Sequence, residues 1–157
     1  MKPRQSQQKP DPETCRERAI GLLARREHSR LELRHKLLSR GCDESELGAL
    51  LASLSAEGLQ SDERFTEAYV YSRSQRGFGP LRIQAELRER GIEDGLIQRF
   101  LDFQSQAWLE RAHQEWQKRF GKRAADYKER ARQARFLQGR GYSPQMIRQV
   151  LNEDDWD

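Results

Sequence analysis

The chain has 157 residues, of which 34% are charged and 35% hydrophobic, and 29 Lys and Arg against 25 Asp and Glu give a net charge of +4. Leu, Ile, Val and Phe together number 31, too few for one thick globular core, while the low net charge argues against a disordered chain. No segment approaches the roughly 20 consecutive apolar residues of a membrane span, and the first residues do not form a secretion signal. The composition therefore predicts a soluble, unexported protein made of small local cores.

Helix-forming residues dominate the chain. Val and Ile total only seven, whereas Arg, Glu, Gln, Leu and Ala fill most positions. β-Branched residues favour strands, and the other residues named favour helices. The sequence therefore predicts an all-α protein.

The first predicted repeat covers residues 12–57 and follows a flexible basic arm at residues 1–11. Its opening helix is marked by an apolar stripe of Cys15, Ala19, Leu22 and Leu23. Ser29 and Glu32 have the spacing of a capping box, which predicts the start of a second helix. Arg40-Gly41 predicts a left-handed glycine corner. A third helix then begins at Asp43 and buries Leu47, Leu50, Leu51 and Leu54.

This pattern recurs at intervals of 50 residues, so the chain contains an internal repeat. The clearest matches are Leu37, Leu87 and Leu137, and the pairs Arg40-Gly41, Arg90-Gly91 and Arg140-Gly141. After the second and third Arg-Gly pairs, the next helices are predicted to start at Glu93 and at Ser143-Pro144.

The other repeats follow from this register. They are predicted at residues 62–104 and 106–153, each opened by a further apolar stripe, and an acidic tail follows at residues 154–157. The stripes contain Phe65, Ala68 and Tyr69 in one case and Leu109, Ala112, Trp116 and Phe120 in the other. Because each repeat packs mainly on its neighbours, we expect an elongated, curved array of three tandem three-helix repeats, about nine helices in all.

The sequence contains no set of residues that indicates catalysis. None of His28, His35 and His113 has the paired helical spacing of a zinc hydrolase, and we expect them at the surface or at an interface. Gly77-Phe78-Gly79 lacks the third glycine and the preceding strand of a nucleotide loop, and predicts a helix-to-helix hinge. The sequence therefore predicts a protein that is not an enzyme and uses no metal or other cofactor.

The two cysteines, Cys15 and Cys42, have neither the spacing of a zinc site nor that of a redox motif. We expect both to be unpaired, buried, small hydrophobic residues. Unpaired cysteines are typical of a reducing compartment, so the sequence predicts a cytoplasmic protein.

Positive charge is concentrated towards both ends of the chain. Residues 1–40 carry 11 basic against 5 acidic residues, residues 116–149 carry 10 against 2, and residues 41–75 carry 2 against 7. In the second basic region Trp116, Phe120 and Phe136 lie among the charges, a mixture that favours binding of polyanions and of unpaired bases. A solvated helix face with aromatic residues in the core is the alternative interpretation.

Four segments carry a family signature. They are Gly58-Leu59-Gln60-Ser61-Asp62-Glu63-Arg64-Phe65, Arg76-Gly77-Phe78-Gly79-Pro80, Arg26-Glu27-His28-Ser29 and Arg135-Phe136-Leu137. Together they resemble the bacterial RecX family of recombination regulators, over about residues 14–152. The Asp-Glu-Arg-Phe and Arg-Gly-Phe-Gly stretches carry most of the specificity. Thr66 and Leu59 depart from the family's usual alanine and aromatic residue, at positions that concern packing.

The resemblance implies a non-enzymatic regulator of RecA, the ATPase that coats single-stranded DNA as a helical filament. Members of the family are tandem three-helix repeats that lie in the filament groove and inhibit strand exchange, ATP turnover and the coprotease activity behind the SOS response. The implied partner of this chain is therefore the RecA–DNA filament, with single-stranded DNA as a secondary contact and no membrane. We expect the regulator to be a monomer.

Basic residues are the candidate contacts with the filament or with DNA, and their expected role is binding rather than catalysis. The front patch comprises Arg25, Arg26, Arg34 and Lys36. The bridge, around the Gly77–Pro80 turn, comprises Arg73, Arg76 and Arg82. The back patch comprises Lys118, Arg119, Lys122, Arg123, Lys128, Arg132 and Arg135.

Two other functions fit the same residues. A basic helical protein that binds DNA by itself would bind naked DNA tightly and leave RecA unaffected. A helical-repeat scaffold for an unrelated protein would bind neither DNA nor RecA.

Overall fold

The computed structural model describes residues 8–152, which form nine α-helices and no β-strand. The helices are α1 (Pro12–Arg25), α2 (Arg30–Ser39), α3 (Glu44–Ala56), α4 (Asp62–Gln75), α5 (Pro80–Glu89), α6 (Asp94–Phe100), α7 (Gln106–Arg119), α8 (Tyr127–Arg140) and α9 (Pro144–Asn152). The all-α prediction is therefore confirmed for this part of the chain. Residues 1–7 of the predicted arm and the predicted tail at 154–157 lie outside the described residues.

The three Arg-Gly pairs form the same corner in each repeat. Gly41, Gly91 and Gly141 have φ angles of 88°, 78° and 103°, a region in which a side chain would be strained. The N–H of the following residue donates to the carbonyl of the leucine five residues earlier, in Cys42 to Leu37 (3.1 Å), Ile92 to Leu87 (3.1 Å) and Tyr142 to Leu137 (3.2 Å). The corner predicted from the internal repeat is therefore confirmed at all three places.

The helices also begin at the positions that the capping residues in the sequence predicted. The Ser29 hydroxyl accepts from the N–H of Glu32 (3.1 Å), and the Glu32 carboxylate accepts from the N–H of Ser29 (3.1 Å), so the capping box is present. Asp43 accepts from the N–H of Ser45 (3.0 Å) at the start of α3. Glu93 is the residue before α6, without a side-chain cap bond, and α9 begins directly after Ser143.

The chain divides into two compact units, Met1–Phe65 and Thr66–Asp157. In the first unit, α1, α2 and α3 pack around one apolar core. Its buried residues are Cys15, Ala19, Leu22, Leu33, Leu37, Cys42, Leu47, Leu51 and Leu54. The predicted stripes of α1 and α3 are therefore confirmed, with Leu23 and Leu50 only partly buried.

Cys15 and Cys42 are joined by a disulfide bond, so the prediction of two unpaired thiols is wrong. The bond links the first turn of α1 to the residue after the Gly41 corner, and both cysteines are buried as predicted. The pair is 27 residues apart in the sequence, and only the packing of α1 on the corner brings their Cα atoms to 6.1 Å. The prediction of a cytoplasmic location relied on unpaired cysteines and loses that support.

The second unit contains most of α4 and all of α5 to α9. Its main buried side chains are Ile83, Leu87, Ile92, Ile97, Leu101, Trp108, Leu109, Ala112, Trp116, Leu137, Tyr142, Met146, Ile147 and Val150. The predicted stripe of α7 is buried except for Phe120, which is half-buried at the helix end. In the predicted α4 stripe, Phe65 is buried and Tyr69 is half-buried, but Ala68 is exposed.

The Gly77-Phe78-Gly79 turn is attached to another corner of the same unit. The attachment consists of three hydrogen bonds, from Gly79 N–H to Arg140 carbonyl (2.7 Å), Leu81 N–H to Gly141 carbonyl (3.0 Å) and Tyr142 hydroxyl to Gly77 carbonyl (2.8 Å). We call this set of contacts the glycine joint. The turn does connect two helices, as predicted, but the joint fixes it to the α8–α9 corner, so the prediction of a hinge is wrong in that respect.

Candidate polyanion-binding surface

The structure brings three members of the predicted front patch together and adds a fourth. Arg25 ends α1, Arg26 follows it, and Lys36 lies on α2. Burial lowers the pKa of Lys36, and so do the positive charges of Arg26, Arg40 and Arg25, against the opposing charge of Glu32. We call Arg25, Arg26, Lys36 and Arg40 the front cluster. Arg34 instead forms an ion pair with Glu44 (2.8 Å) at the start of α3.

A buried histidine holds the amine of Lys36. Nζ of Lys36 lies 2.8 Å from Nε2 of His28, and Nδ1 of His28 lies 3.0 Å from the carbonyl oxygen of Arg26. Because a carbonyl only accepts, Nδ1 carries the proton, and Nε2 accepts from Lys36. His28 is 1% exposed, so the prediction of a surface position is wrong for this histidine. Burial lowers the pKa of His28 and keeps the ring neutral.

Glu32 connects the cap of α2 to the front cluster. Its carboxylate accepts two hydrogen bonds from Arg26 (3.3 and 2.9 Å) and one from the N–H of Ser29 (3.1 Å). Although burial opposes the charge, these bonds hold the pKa of Glu32 below its ordinary value. Arg26 is thereby oriented, while Arg25 and Arg40 extend as exposed side chains.

Two of the three predicted bridge residues, Arg73 and Arg82, pack against Phe78 in the turn that forms the glycine joint. Arg73 donates two hydrogen bonds to Glu86 (3.0 and 2.9 Å), and both side chains are 17% exposed. The guanidinium carbons of Arg73, Arg82 and Arg140 lie 3.8, 4.3 and 5.1 Å from the ring centre of Phe78. Arg82 also donates to the carbonyl of Gly139 (3.1 Å). Arg73 is thus largely occupied inside the fold, while Arg76 is exposed.

The seven residues of the predicted back patch are all exposed, at the end of α7, in the following loop and on α8. Lys128, Arg132 and Arg135 share one face of α8, because they are four and three residues apart. Phe120 and Phe136 pack edge to face with ring centres 5.4 Å apart. Arg132 lies 5.5 Å from the first ring centre and Arg119 lies 5.7 Å from the second. This part of the patch therefore combines guanidinium groups with aromatic rings, as nucleic-acid contacts do.

A cleft of about 580 Å³ opens between α7, α8 and α9, and the sequence did not reveal it. Its lining includes His113, Trp116, Arg123, Tyr127 and Arg130. Trp116 is buried and donates to the side chain of Gln133 (2.9 Å), whereas Tyr127 is 86% exposed. Arg130 donates to the carbonyl of Leu151 and to the side chain of Asn152. The cleft depends on the packing of α9, which residue spacing within α7 and α8 does not indicate.

The side chains on these surfaces are of kinds that can bind anions. Guanidinium and ammonium groups donate to phosphate or carboxylate oxygens, and the rings beside them offer stacking surfaces. Residues 8–152 contain no group of three or more His, Cys, Asp or Glu side chains placed to hold a metal ion. None of the helices within those residues is long and apolar enough to cross a membrane.

Comparison with known protein families accounts for most of the chain. Residues 15–54, 61–101 and 106–151 match the first, second and third three-helix domains of RecX. The chain belongs to the RecX family. The resemblance found in the sequence and the three tandem three-helix repeats are therefore confirmed.

Proteins named regulatory protein RecX are similar to this chain over nearly their full length. Regulatory protein RecX from Halorhodospira halophila is 44% identical over 146 residues, which cover 92% of this chain and 91% of the relative. Regulatory protein RecX from Pseudomonas savastanoi pv. phaseolicola is 43% identical over 142 residues, which cover 90% of this chain and 92% of the relative. The crystal structure of RecX from Lactobacillus salivarius has a TM-score of 0.75 and covers 91% of this chain and 96% of that one. At 20% identity, this last comparison supports the fold alone.

Proposed function

We propose that this RecX-family protein regulates RecA by binding the RecA–DNA filament. Binding would slow ATP hydrolysis and strand exchange and reduce the coprotease activity that induces the SOS response. The observation that carries the proposal is the back patch, whose seven basic residues are all exposed on a chain of a regulatory protein family. A filament that contains single-stranded DNA is a polyanion, and such a surface favours it.

The action follows from contact alone, without a chemical step. Front cluster and back patch lie in different compact units of one chain, so a second contact forms at the high local concentration that the first provides. Each contact can then be weak while the whole protein binds tightly. A non-enzymatic regulator of this kind would act in the cytoplasm, where RecA works on damaged DNA.

Direct binding of single-stranded DNA is a secondary part of the proposal. It is supported by the Phe120–Phe136 pair with its flanking arginines, and by the exposed Tyr127 at the cleft. Stacking of a base on an aromatic ring contributes about 1–3 kcal/mol per base. We expect this binding to be weaker than binding to the filament, because naked DNA lacks the RecA surface that the filament also offers.

The deciding experiment adds the purified protein to RecA filaments on single-stranded DNA and follows ATP hydrolysis over a range of ratios. Strong suppression at far fewer than one regulator per several RecA subunits would indicate that it caps filament growth. Suppression only near that ratio would indicate occupancy along the groove. Unchanged hydrolysis with tight binding to naked DNA would favour an independent DNA-binding protein, and failure to bind either would favour a scaffold.

Charge reversal in the back patch gives a sharper test. We expect Lys128→Glu with Arg135→Glu to weaken inhibition by about tenfold at unchanged helicity, and added salt to weaken the wild type steeply, because both remove phosphate contacts. The matched control is Arg30→Glu with Arg148→Glu, which makes the same charge change at exposed positions outside the candidate set. Equal inhibition by the two double variants, or a flat salt response, would contradict the role of the back patch.

A further inference from the structure

The front cluster contains an amine in an unusual setting. Lys36 is half-buried, and its Nζ donates to Nε2 of His28, a neutral ring that is itself fixed by the Arg26 carbonyl. A lysine on an exposed helix face is surrounded by water and can adopt many rotamers. The hydrogen bond to His28 instead holds this nitrogen at one place, between α2 and the end of α1.

The groups that surround this amine are mainly cationic. Arg25, Arg26 and Arg40 all act on Lys36 with like charge, and Glu32 opposes them. Arg26 is paired with Glu32 (2.9 Å), whereas Arg25 and Arg40 are exposed and form no ion pair within residues 8–152. The positive charges of Arg25 and Arg40, which both influence Lys36, would attract an anion towards the amine. The cluster is therefore arranged to attract a small phosphate-bearing molecule.

We propose that Lys36 is a site of covalent acylation, and that the arginines of the front cluster bind the phosphate of an activated acyl donor such as an acyl phosphate. The neutral amine attacks the carbonyl carbon of the donor, and a new C–N bond forms. The bond from the carbonyl carbon to the phosphate oxygen breaks, and inorganic phosphate leaves with the electron pair. The attacking nitrogen releases one proton to solvent, so the product is a neutral amide.

Two features of the site favour this reaction at Lys36 over other lysines. Only the neutral amine is a nucleophile, and the lowered pKa of Lys36 increases its neutral fraction, by a factor of about ten for each pKa unit. Bound phosphate also brings the carbonyl close to the amine, which raises the effective concentration of the donor. Lys128 on α8 is exposed and serves as the internal reference.

Acylation would also change the charge of the surface. It converts the central ammonium group of the front cluster into a neutral amide, and the histidine contact loses its charged donor. This regulatory consequence rests on the proposed function, because it concerns binding to a polyanionic filament. The modification itself does not rest on that function, since it is measured on the isolated protein.

The test incubates the full chain with acetyl phosphate and measures acetylation of each lysine over time by mass spectrometry. We expect Lys36 to react on the order of three- to tenfold faster than Lys128. Arg25→Gln should remove most of this advantage, because it removes one charge from the cluster. The matched control is Arg30→Gln on the first turn of α2, an exposed position that is not among the main electrostatic influences on Lys36, and it should keep the advantage.

Two further measurements test whether the preference for Lys36 depends on binding of the donor's phosphate. A small phosphate-free acetyl thioester should show a smaller preference for Lys36, and added inorganic phosphate should slow acetylation by acetyl phosphate more strongly at Lys36 than at Lys128. Equal rates at Lys36 and Lys128, or equal effects of Arg25→Gln and Arg30→Gln, would overturn the site. Selective acetylation that leaves filament inhibition unchanged would overturn only the regulatory consequence.

Discussion

The two compact units build the same helical corner but stabilise it by different means. In the first unit the corner at Gly41 is tied to α1 by the Cys15–Cys42 disulfide. In the second unit the equivalent corner at Gly141 is tied to the start of α5 by backbone hydrogen bonds. The local corner is therefore the same in both units, while the long-range contact that fixes the corner differs between them. Perturbing each contact should affect one unit and spare the other.

The chain provides a natural means of observing the units separately. All four tyrosines and all three tryptophans occur after Phe65, at positions 69, 71, 127 and 142 and at 108, 116 and 156. Tryptophan fluorescence therefore reports on the second unit. Far-ultraviolet circular dichroism reports on the helices of both.

The largest expected effect is that of an alanine at Gly141. Its Cβ would lie 2.4 Å from Cβ of Arg82, in addition to the left-handed strain at a φ of 103°. We expect Gly141→Ala to lower the free energy of unfolding of the second unit by about 4 kcal/mol, measured by urea unfolding with tryptophan fluorescence.

The matched variant is Gly41→Ala, at the same position of the first repeat. There the added Cβ would meet only Cδ of Pro10, at 3.5 Å, so the cost is that of the backbone strain, about 1–2 kcal/mol. Equal losses in the two variants would show that the glycine joint contributes nothing beyond the corner itself.

Reduction of the disulfide is expected to have the next largest effect. Opening a loop of 27 residues increases the entropy of the unfolded chain, and the loop-closure model gives a loss of about 3.5 kcal/mol. A reducing agent should lower the urea midpoint of the first unit in far-ultraviolet circular dichroism and leave the tryptophan transition in place. A Cys15→Ala, Cys42→Ala variant should be insensitive to the reductant. A shift of the tryptophan transition would contradict the expectation that the disulfide stabilises the first unit alone.

Removing the Tyr142 hydroxyl should have a smaller effect. Tyr142→Phe leaves the Gly77 carbonyl without its donor in a buried position, which costs about 1–2 kcal/mol in the second unit. Tyr71→Phe is the control, because Tyr71 is 68% exposed, and its effect should stay below about 0.5 kcal/mol. Urea unfolding of both variants, followed by tryptophan fluorescence, decides whether the hydroxyl supports the glycine joint.

The smallest effects are those of pH, and they should differ in sign between the units. Burial lowers the pKa of His28 below its ordinary 6.5, so the unfolded first unit binds the proton more readily. The contribution of His28 to stability is fully present above pH 6.5 and falls as the pH drops towards the folded pKa, by at most about 1.4 kcal/mol per pH unit. Burial raises the pKa of Tyr142, so this side chain should make the second unit less stable as the pH rises above 10. Unfolding curves between pH 5 and 11 test both directions.

The sequence revealed those parts of the fold that depend on near neighbours along the chain. A capping box needs only Ser29 and Glu32, and a helix corner needs only a glycine at the right position, so both were predictable. The back patch was predictable for the same reason, because spacing along α8 decides which residues share its face. Periodicity could also have found Arg40, which lies four residues after Lys36, in place of Arg34.

The contacts between distant segments were not predictable in this way. The disulfide, the glycine joint and the cleft depend on which helices pack together, and no pattern within one helix specifies that. Arg73 shows the difference clearly, because as a basic residue near the Gly77–Pro80 turn it was assigned to the bridge of candidate filament contacts. The fold pairs it with Glu86, thirteen residues away, and the pair is mostly buried.

The bond between Cys15 and Cys42 also makes a covalent ring of α2 and most of α1. A protease that cut the backbone anywhere inside this ring would leave both fragments attached to each other. The nicked protein would keep nearly its original mass and would migrate as one chain, until a reductant released the two pieces.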